Sequence, residues 1–359
     1  MTMPLTEKSA TMSARGKIRA ARLAYLFFKI PMAGGISMIS RLAVAAALFL
    51  AASAAGAQAY PTKPISLIVP FPPGGGTDGQ IRNLATAMGK QFNQTVLVEN
   101  VPGASSTIGS ARVAKAAPNG YTILSHNTSL ATARALIPDL QFNPLTDFDF
   151  IGLVNFASSM LVARSDFPGN NFKEFLAYIR ANQHKVTLGE AAGPPELFDL
   201  LFMHSTGTRL MLVPYKGGGP ALNDLMGKHL DLMSSSTVML APFVKSGKVK
   251  AIGVTARSRV SSMPDVPTLD EQGLTGFDMV TFQGLFGPKN LPQAVLDRLV
   301  SALQGALLDP DFVAFQKAAG AEIASREQAT PAGLRAFFMA EVAKWEPLIN
   351  KARGELKSN

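Results

Sequence analysis

The octapeptide Phe71-Pro72-Pro73-Gly74-Gly75-Gly76-Thr77-Asp78 holds the residues of this chain best suited to grip a small molecule. It joins an apolar run, Ile65-Ser66-Leu67-Ile68-Val69, to a helix-forming stretch. Glycines at such a junction let the backbone approach a ligand closely, and the free N–H groups of the helix's first turn make a seat for an anion or carboxylate. Taken literally, Gly74 to Gly79 also fits the G-x-G-x-x-G of dinucleotide sites, with Glu99 at the end of the next strand as the ribose acid. Two features oppose that reading. Pro72-Pro73 separates the strand from the first glycine, where a dinucleotide site needs its tight turn, and Asp78 sets a carboxylate beside the pyrophosphate seat.

Nucleophilic and metal chemistry find less support. In Gly103-Ala104-Ser105-Ser106-Thr107 a threonine stands where the second glycine of a hydrolase elbow belongs, and no Ser-x-x-Lys occurs. His126, His184, His204 and His229 show neither i, i+4 spacing nor a His-Glu-x-x-His pattern, so no metal site is expected. His126 differs from the others in following the strand Tyr121 to Leu124, at the same sheet end as the glycine loop. In an open parallel sheet ligands bind outside the carboxyl ends of the strands. Three loops leave such ends: Phe71 to Asp78, Pro102 to Ser106, and Ser125-His126-Asn127-Thr128-Ser129. Taken singly, each is ordinary turn and N-cap chemistry. Together they offer backbone N–H, hydroxyl and amide donors without fixed positive charge, and such a crevice suits a small organic acid.

The elements that must position these loops follow an export signal. Met-Ile-Ser-Arg41, an apolar run from Leu42 to Ala55 and Ala57-Gln58-Ala59 reproduce the n-region, h-region and cleavage site of a secretory signal over residues 38–59. The mature chain is expected to begin near Tyr60, and residues 1–37 read as an upstream start codon or an extended n-region. Residues 1–59 carry seven basic groups and one acid. Of the chain's 34 Lys and Arg and 25 Asp and Glu, 27 and 24 remain, so the net charge falls from +9 to +3. The basic balance therefore predicts no nucleic-acid partner, which would need a clustered basic face. The h-region is shorter than the roughly 20 apolar residues of a membrane span, and the absence of cysteine excludes a lipid-anchored lipoprotein and thiolate metal sites.

A mature chain of this length exceeds what one core usually supports, so two lobes are expected. Val96-Leu97-Val98, Tyr121 to Leu124, Met160-Leu161-Val162, Leu210 to Val213 and Ala251 to Val254 are short apolar runs separated by amphipathic stretches, an α/β pattern with largely parallel sheets. Helices are predicted after Pro292, with Leu296, Leu299, Val300, Leu303 and Leu307 in register, and at the end of the chain. There Leu334, Phe338, Val342, Trp345, Ile349 and Ala352 share a core-facing stripe. Val186 to Val254 forms its own strand and helix series and reads as a second lobe inserted into the first.

A longer order of motifs runs through the chain: Tyr60-Pro61-x-Lys63-Pro64-Ile65, Pro73 to Asp78, Val98-Glu99-Asn100-x-Pro102-Gly103-Ala104 and Ala116-Ala117-Pro118-Asn119-Gly120-Tyr121-Thr122. Val213-Pro214-Tyr215-Lys216-Gly217, Pro220-Ala221-Leu222-x-Asp224-Leu225, Pro264-Asp265-Val266-Pro267-Thr268 and Gly284-Leu285-Phe286 continue it. The series resembles the substrate-binding proteins of tripartite tricarboxylate transporters, the Bug receptors. The resemblance implies a two-lobed periplasmic-binding-protein fold of type II, with mixed, mainly parallel sheets flanked by helices and a ligand cleft between the lobes. It implies a monomeric periplasmic receptor, without catalysis or cofactor, that closes on a small carboxylate held by backbone N–H groups and waters and presents it to membrane permease subunits. Lobe 1 would comprise 60–157 and 285–359 and lobe 2 158–284, with hinges near Val154 to Ser158 and Met279 to Phe286.

Carried onto this chain, the ligand contacts would be Phe71, Pro73, Gly74, Gly75, Gly76, Thr77, Asp78, Gly103, Ala104, Ser105, Ser125, His126, Asn127 and Thr128 from lobe 1. Lobe 2 would add Glu190, Ala191, Ala192, Ser234 and Ser235. Val213 to Gly217 is expected to shape a turn, with Lys216 within reach of an anion. The loop Gly189 to Glu196 departs from the family: it is shorter, lacks serines and carries Glu190. An acid beside a carboxylate ligand is unfavourable. Either Glu190 points away, or the ligand carries an amine or little charge, and the second is the working expectation. Ser105-Ser106, in place of small glycine-type residues, should narrow the pocket. Alternatives from other classes are an exported dinucleotide-dependent oxidoreductase or hydrolase, and a receptor that reports to a sensor kinase.

Overall fold

The computed structural model describes residues 60–358 apart from 138, 170, 192–193, 257 and 276. The signal segment and the residues before it, like Ala192, lie outside the described residues. In chain order the elements are β1 (Ile65–Val69), α1 (Gly76–Phe92), β2 (Val96–Asn100), α2 (Thr107–Ala114), β3 (Thr122–Asn127), α3 (Thr128–Leu136) and β4 (Phe148–Arg164). There follow α4 (Phe172–Ala181), β5 (Thr187–Ala191), α5 (Pro194–Thr206), β6 (Met211–Tyr215), α6 (Gly218–Met226), β7 (Leu232–Ser236), α7 (Thr237–Lys245) and β8 (Val249–Val254). The chain closes with β9 (Val280–Pro288), α8 (Gln293–Ala306), α9 (Pro310–Ala319), β10 (Glu322–Ile323) and α10 (Pro331–Ser358).

Two sheets share one long strand. In the first, β2, β1 and β3 pair in parallel, and β9 joins β3 to β4 by antiparallel ladders. In the second, β5 pairs in parallel with β6 and β7, while β7 and β8 flank β4 antiparallel. The parallel character expected from the sequence thus belongs to the outer strands, and the centre is antiparallel. β4 serves both sheets because it is 17 residues long: it leaves β9 after Ser158 and takes up β7 at Ser159. This is an α/β architecture, a mixed sheet system flanked by helices.

Local sequence accounts for the elements. β1 is a nearly unbroken apolar run because its middle is covered on both faces. α1 places Ile81, Leu84, Ala85, Met88 and Phe92 on one buried face and ends at Asn93 in the left-handed region. Along β4 side chains alternate between faces, so Leu161 and Ala163 enter one apolar cluster while Met160 and Val162 enter the cluster on the other side. β3 runs to Asn127, so Ser125, His126 and Asn127, read from sequence as loop, are strand residues held by the ladder to Leu285, Gly284 and Gln283 of β9.

The last helix crosses between clusters. Leu334, Phe338 and Val342 pack in the core of the first sheet, whereas Trp345 and Ile349 pack with Phe198, Phe202 and Met279 beside the second. The stripe is continuous along the helix, but its partners change midway, so its final turns pack beside the second sheet. Trp345 is 3% exposed and its indole N–H donates to Glu341 Oε2 at 2.6 Å. Trp345→Ala should lower stability by about 3–5 kcal/mol, the usual cost of emptying a buried tryptophan site, read as a lower urea midpoint with unchanged slope. A loss below 1 kcal/mol would show that the helix end is not part of the core.

Candidate functional site

A cavity of about 640 Å³ opens where the two sheets meet. Its lining includes the N-cap residues of five helices: Gly75 of α1, Ser106 of α2, Asn127 of α3, Gly217 of α6 and Ser236 of α7. Each strand-to-helix junction brings a helix start to the same sheet end, so the positive ends of these peptide dipoles converge. Asn127 and Ser236 cap their own helices with side-chain oxygens, but Gly75, Ser106 and Gly217 form no side-chain cap bond. First-turn N–H groups of α1, α2 and α6 are thereby left for another acceptor, apart from Thr107 N, which donates to Ala104 O at 3.1 Å.

Of the residues expected from sequence, Phe71, Pro73, Gly75, Gly76, Thr77, Gly103, Ala104, Ser105, Asn127 and Ser235 line this cavity. Gly74, Asp78, Ser125, His126, Thr128, Glu190 and Ser234 are not among the described lining residues. The Asp78 carboxylate accepts from Gly74 N at 3.0 Å, Arg82 Nε at 3.0 Å and Asn100 Nδ2 at 2.9 Å, so it ties the loop to β2 rather than facing a ligand. Burial opposes its charge, but the bonds from Arg82, Gly74 and Asn100 outweigh burial and hold the carboxyl below its ordinary range. Thr128 Oγ1 accepts from Phe282 N, and Ser234 Oγ donates to Asp199 Oδ1. Ser125 and Glu190 are likewise absent from the described lining, and burial raises the Glu190 carboxyl. With Glu190 off the cavity wall, the argument that the ligand must avoid its charge loses its basis.

His126 is also behind the wall. Its ring meets Phe71 edge-on at 5.4 Å, and its Nδ1 accepts from Asn127 N at 2.9 Å, which requires that nitrogen unprotonated. Burial pushes it down to about 3, so it is a neutral prop for the phenyl ring. Glu99 pairs with Arg112 at 2.9 Å and does not line the cavity, which removes the ribose acid from the dinucleotide reading.

Sequence reasoning missed most of the second wall and the floor. Tyr215, Lys216, Gly217, Gly218 and Gly219 line the cavity instead of merely shaping a turn. Gly217-Gly218-Gly219 before a helix repeats the pattern of Gly74-Gly75-Gly76, which was the available signal. Tyr215 donates to Asp224 Oδ2 at 2.7 Å, fixing its ring. Lys216 is the only Lys, Arg, His, Asp or Glu among the described lining residues. On the floor, Asn155 and Gln283 are polar interruptions of apolar strands, a second signal that went unused. Gln80, Met239 and Thr281 complete the newly found part of the wall.

The walls touch across the cavity. A Cβ added to Gly217 would lie 2.9 Å from Cγ of the rigid Pro72 ring, so glycine is needed there for the two sides to meet, while one added to Gly76 would lie against the Ser236 hydroxyl. Ala104, Ser105 and Ser106 all hold positive φ, of 45°, 49° and 73°. Such a run costs non-glycine residues about 1–2 kcal/mol each and presents their backbone to the cavity.

The chain belongs to the tripartite tricarboxylate transporter family receptors. The model of that family matches residues 80–354. A UPF0065 protein from the TAR-I ttuE-ttuC' intergenic region of Agrobacterium vitis is 37% identical, covering 82% of this chain and 86% of its own length. The periplasmic binding protein BugD superposes with a TM-score of 0.79 at 41% identity, covering 82% of this chain and 98% of that one. MatC of Rhodopseudomonas palustris, solved with bound malate, gives a TM-score of 0.79 at 32% identity over 81% of this chain and 100% of its own.

The buried imidazole carries a pH consequence. Unfolded histidine takes up a proton near pH 6.5, whereas folded His126 does so only near 3. Its contribution to stability is therefore complete above pH 6.5 and is lost as pH falls toward 3. His126→Asn, which keeps an acceptor for Asn127 N, should flatten the fall of the urea midpoint between pH 6.5 and 4. An unchanged pH slope would remove His126 as its source.

Proposed function

We propose that this protein is an exported receptor that holds a small carboxylate in the cavity and delivers it to the membrane permease subunits of a tripartite transporter. The observation that carries this reading is the convergence of five helix N-termini, three of them without side-chain caps, on a cavity whose described lining holds no carboxylate. Backbone dipoles of this kind stabilise an anion without a guanidinium clamp. Lys216, exposed at the edge, adds one mobile positive charge. A relative solved with malate supports the ligand class. Described lining residues that include no histidine, aspartate or glutamate favour binding over acid–base catalysis.

In this reading lobe 1 spans 60–157 and 285–359, apart from the helix end that packs on the second sheet, and lobe 2 spans 158–284. Bending occurs near Val154 to Ser158, where β4 passes from the first sheet to the second, and near Met279 to Phe286, where the chain returns to the first sheet as β9. Ligand shifts the population toward the closed form through contacts made only when Gly217 meets Pro72 and Gly76 meets Ser236. A signal segment ending near Ala59 directs export.

Thermal-shift and calorimetric titration with mono-, di- and tricarboxylates and with NADH tests the reading. A true ligand at a hundredfold excess over Kd should stabilise the fold by about 2.7 kcal/mol. Gly217→Ala, whose new methyl meets the rigid ring of Pro72, should weaken that ligand about tenfold, or 1.4 kcal/mol, while the unliganded Tm holds. A response to NADH alone would refute the receptor assignment.

A further inference from the structure

Met239 stands where the two walls of the cavity come together. It lies in the first turn of α7, half-buried, and lines the cavity. A Cβ added to Gly76, the first residue of α1, would lie 3.4 Å from Met239 Cβ. One added to Gly218, the first residue of α6, would lie 2.9 Å from Met239 Sδ and 3.2 Å from its methyl carbon. The side chain therefore reaches from the start of one glycine-led helix to the start of the other, and the missing side chains at Gly76 and Gly218 make the room for it.

A thioether is ill matched to this position. The Gly218 and Gly219 N–H groups find no acceptor among the described residues, and Pro220 has no N–H. The positive end of α6 thus abuts a sulfur and a methyl group, neither of which is a good acceptor. Ser235, buried at 9% exposure and also part of the lining, donates from Oγ to Met239 Sδ at 3.4 Å. An ionised carboxylate is a far stronger acceptor for that hydroxyl than sulfur is. The Met239 backbone is held, since its N–H donates to Ser236 Oγ at 3.4 Å, but its side chain is unbranched with three rotatable bonds and can leave its place at little cost.

We propose that Met239 is a specificity-determining residue that fills part of the cavity in place of ligand: when a carboxylate arrives, the thioether swings aside and the carboxylate accepts the Ser235 hydroxyl bond that sulfur held. This rests on the carboxylate reading of the cavity and names the group that such a ligand must displace. Affinity then depends on reach. An acid whose carboxylate meets Ser235 offsets the packing lost when Met239 moves, whereas an acid too short to do so leaves Met239 in place and binds weakly.

Calorimetric titration of the purified protein with succinate, malate, citrate, glutamate and benzoate first selects the acid that binds most tightly. Protein carrying 13C at its methionine methyls then reads the displacement, the Met239 signal being the one missing from Met239→Leu. At saturation with the selected acid that signal should shift and narrow toward that of a solvent-exposed methionine. Met239→Ala, which leaves nothing to displace, should bind the acid at least threefold more tightly, and Ser235→Ala at least threefold more weakly. A Met239 signal unchanged at saturation would overturn the inference while leaving the receptor reading intact. So would a smaller change, or one of opposite sign, in either alanine variant with native circular dichroism. If Met239→Ala does not fold, the methyl signal and Ser235→Ala decide. Binding by none of the five acids would overturn the carboxylate reading and this inference with it.

Discussion

Backbone pairing between β4 and β9 governs how the rest of the molecule is arranged. The ladder runs from Phe148 opposite Pro288 to Ser158 opposite Val280, and it is the framework on which both sheets are hung. On one side it orders β3, and through β3 the strands that end at the glycine loop; on the other it passes β4 to β7 and β8. Register along these strands decides which side chains face the apolar clusters and which face the cavity, since a one-residue slip would exchange the two sets. Asn155 and Gln283 are tolerable in such apolar strands only because this register turns them to the one place where polar groups have a use.

The cavity is electrostatically quiet by construction. Asp78, the acid nearest the glycine loop in sequence, is neutralised by Arg82 and bound by Gly74 N–H and Asn100. His126 stays neutral behind Phe71, and Glu190 stands off the lining. What remains is a field made by peptide dipoles and amide groups, with one lysine at its edge. Such a field is preorganised: the donors are fixed by helices and strands, so little ordering is needed when an anion arrives. It also recognises position more finely than a mobile cation does, because each N–H has a direction.

The first wall was legible in sequence because its chemistry is local. Gly75-Gly76-Thr77 after an apolar strand is a self-contained signal, as is Gly103-Ala104-Ser105 after β2, and both line the cavity. The same reading overreached where local pattern does not report side-chain direction. Asp78 and Thr128 are at helix starts, but their side chains bond to the protein's own backbone. His126 is on a strand whose alternation places it against Phe71, while the next residue, Asn127, faces the cavity. The stripe of the last helix was read correctly as core, but which core lay beyond reach: Trp345 and Ile349 meet phenylalanines more than 140 positions earlier in the chain.

Taken alone, the sequence determined the kind of protein: an α/β chain of family-specific motif order, with a glycine-rich seat after its first strand and few charged groups near it. These follow from composition and short-range pattern, where residue type and local backbone preference suffice. Tertiary structure alone decided the opposite wall and the floor. Gly217 meets Pro72, Gly76 meets Ser236, and Asn155 faces Gln283 across separations of 145, 160 and 128 positions. No local preference encodes such contacts. They exist because two long strands pair in one register and bring the starts of five helices to a single cavity.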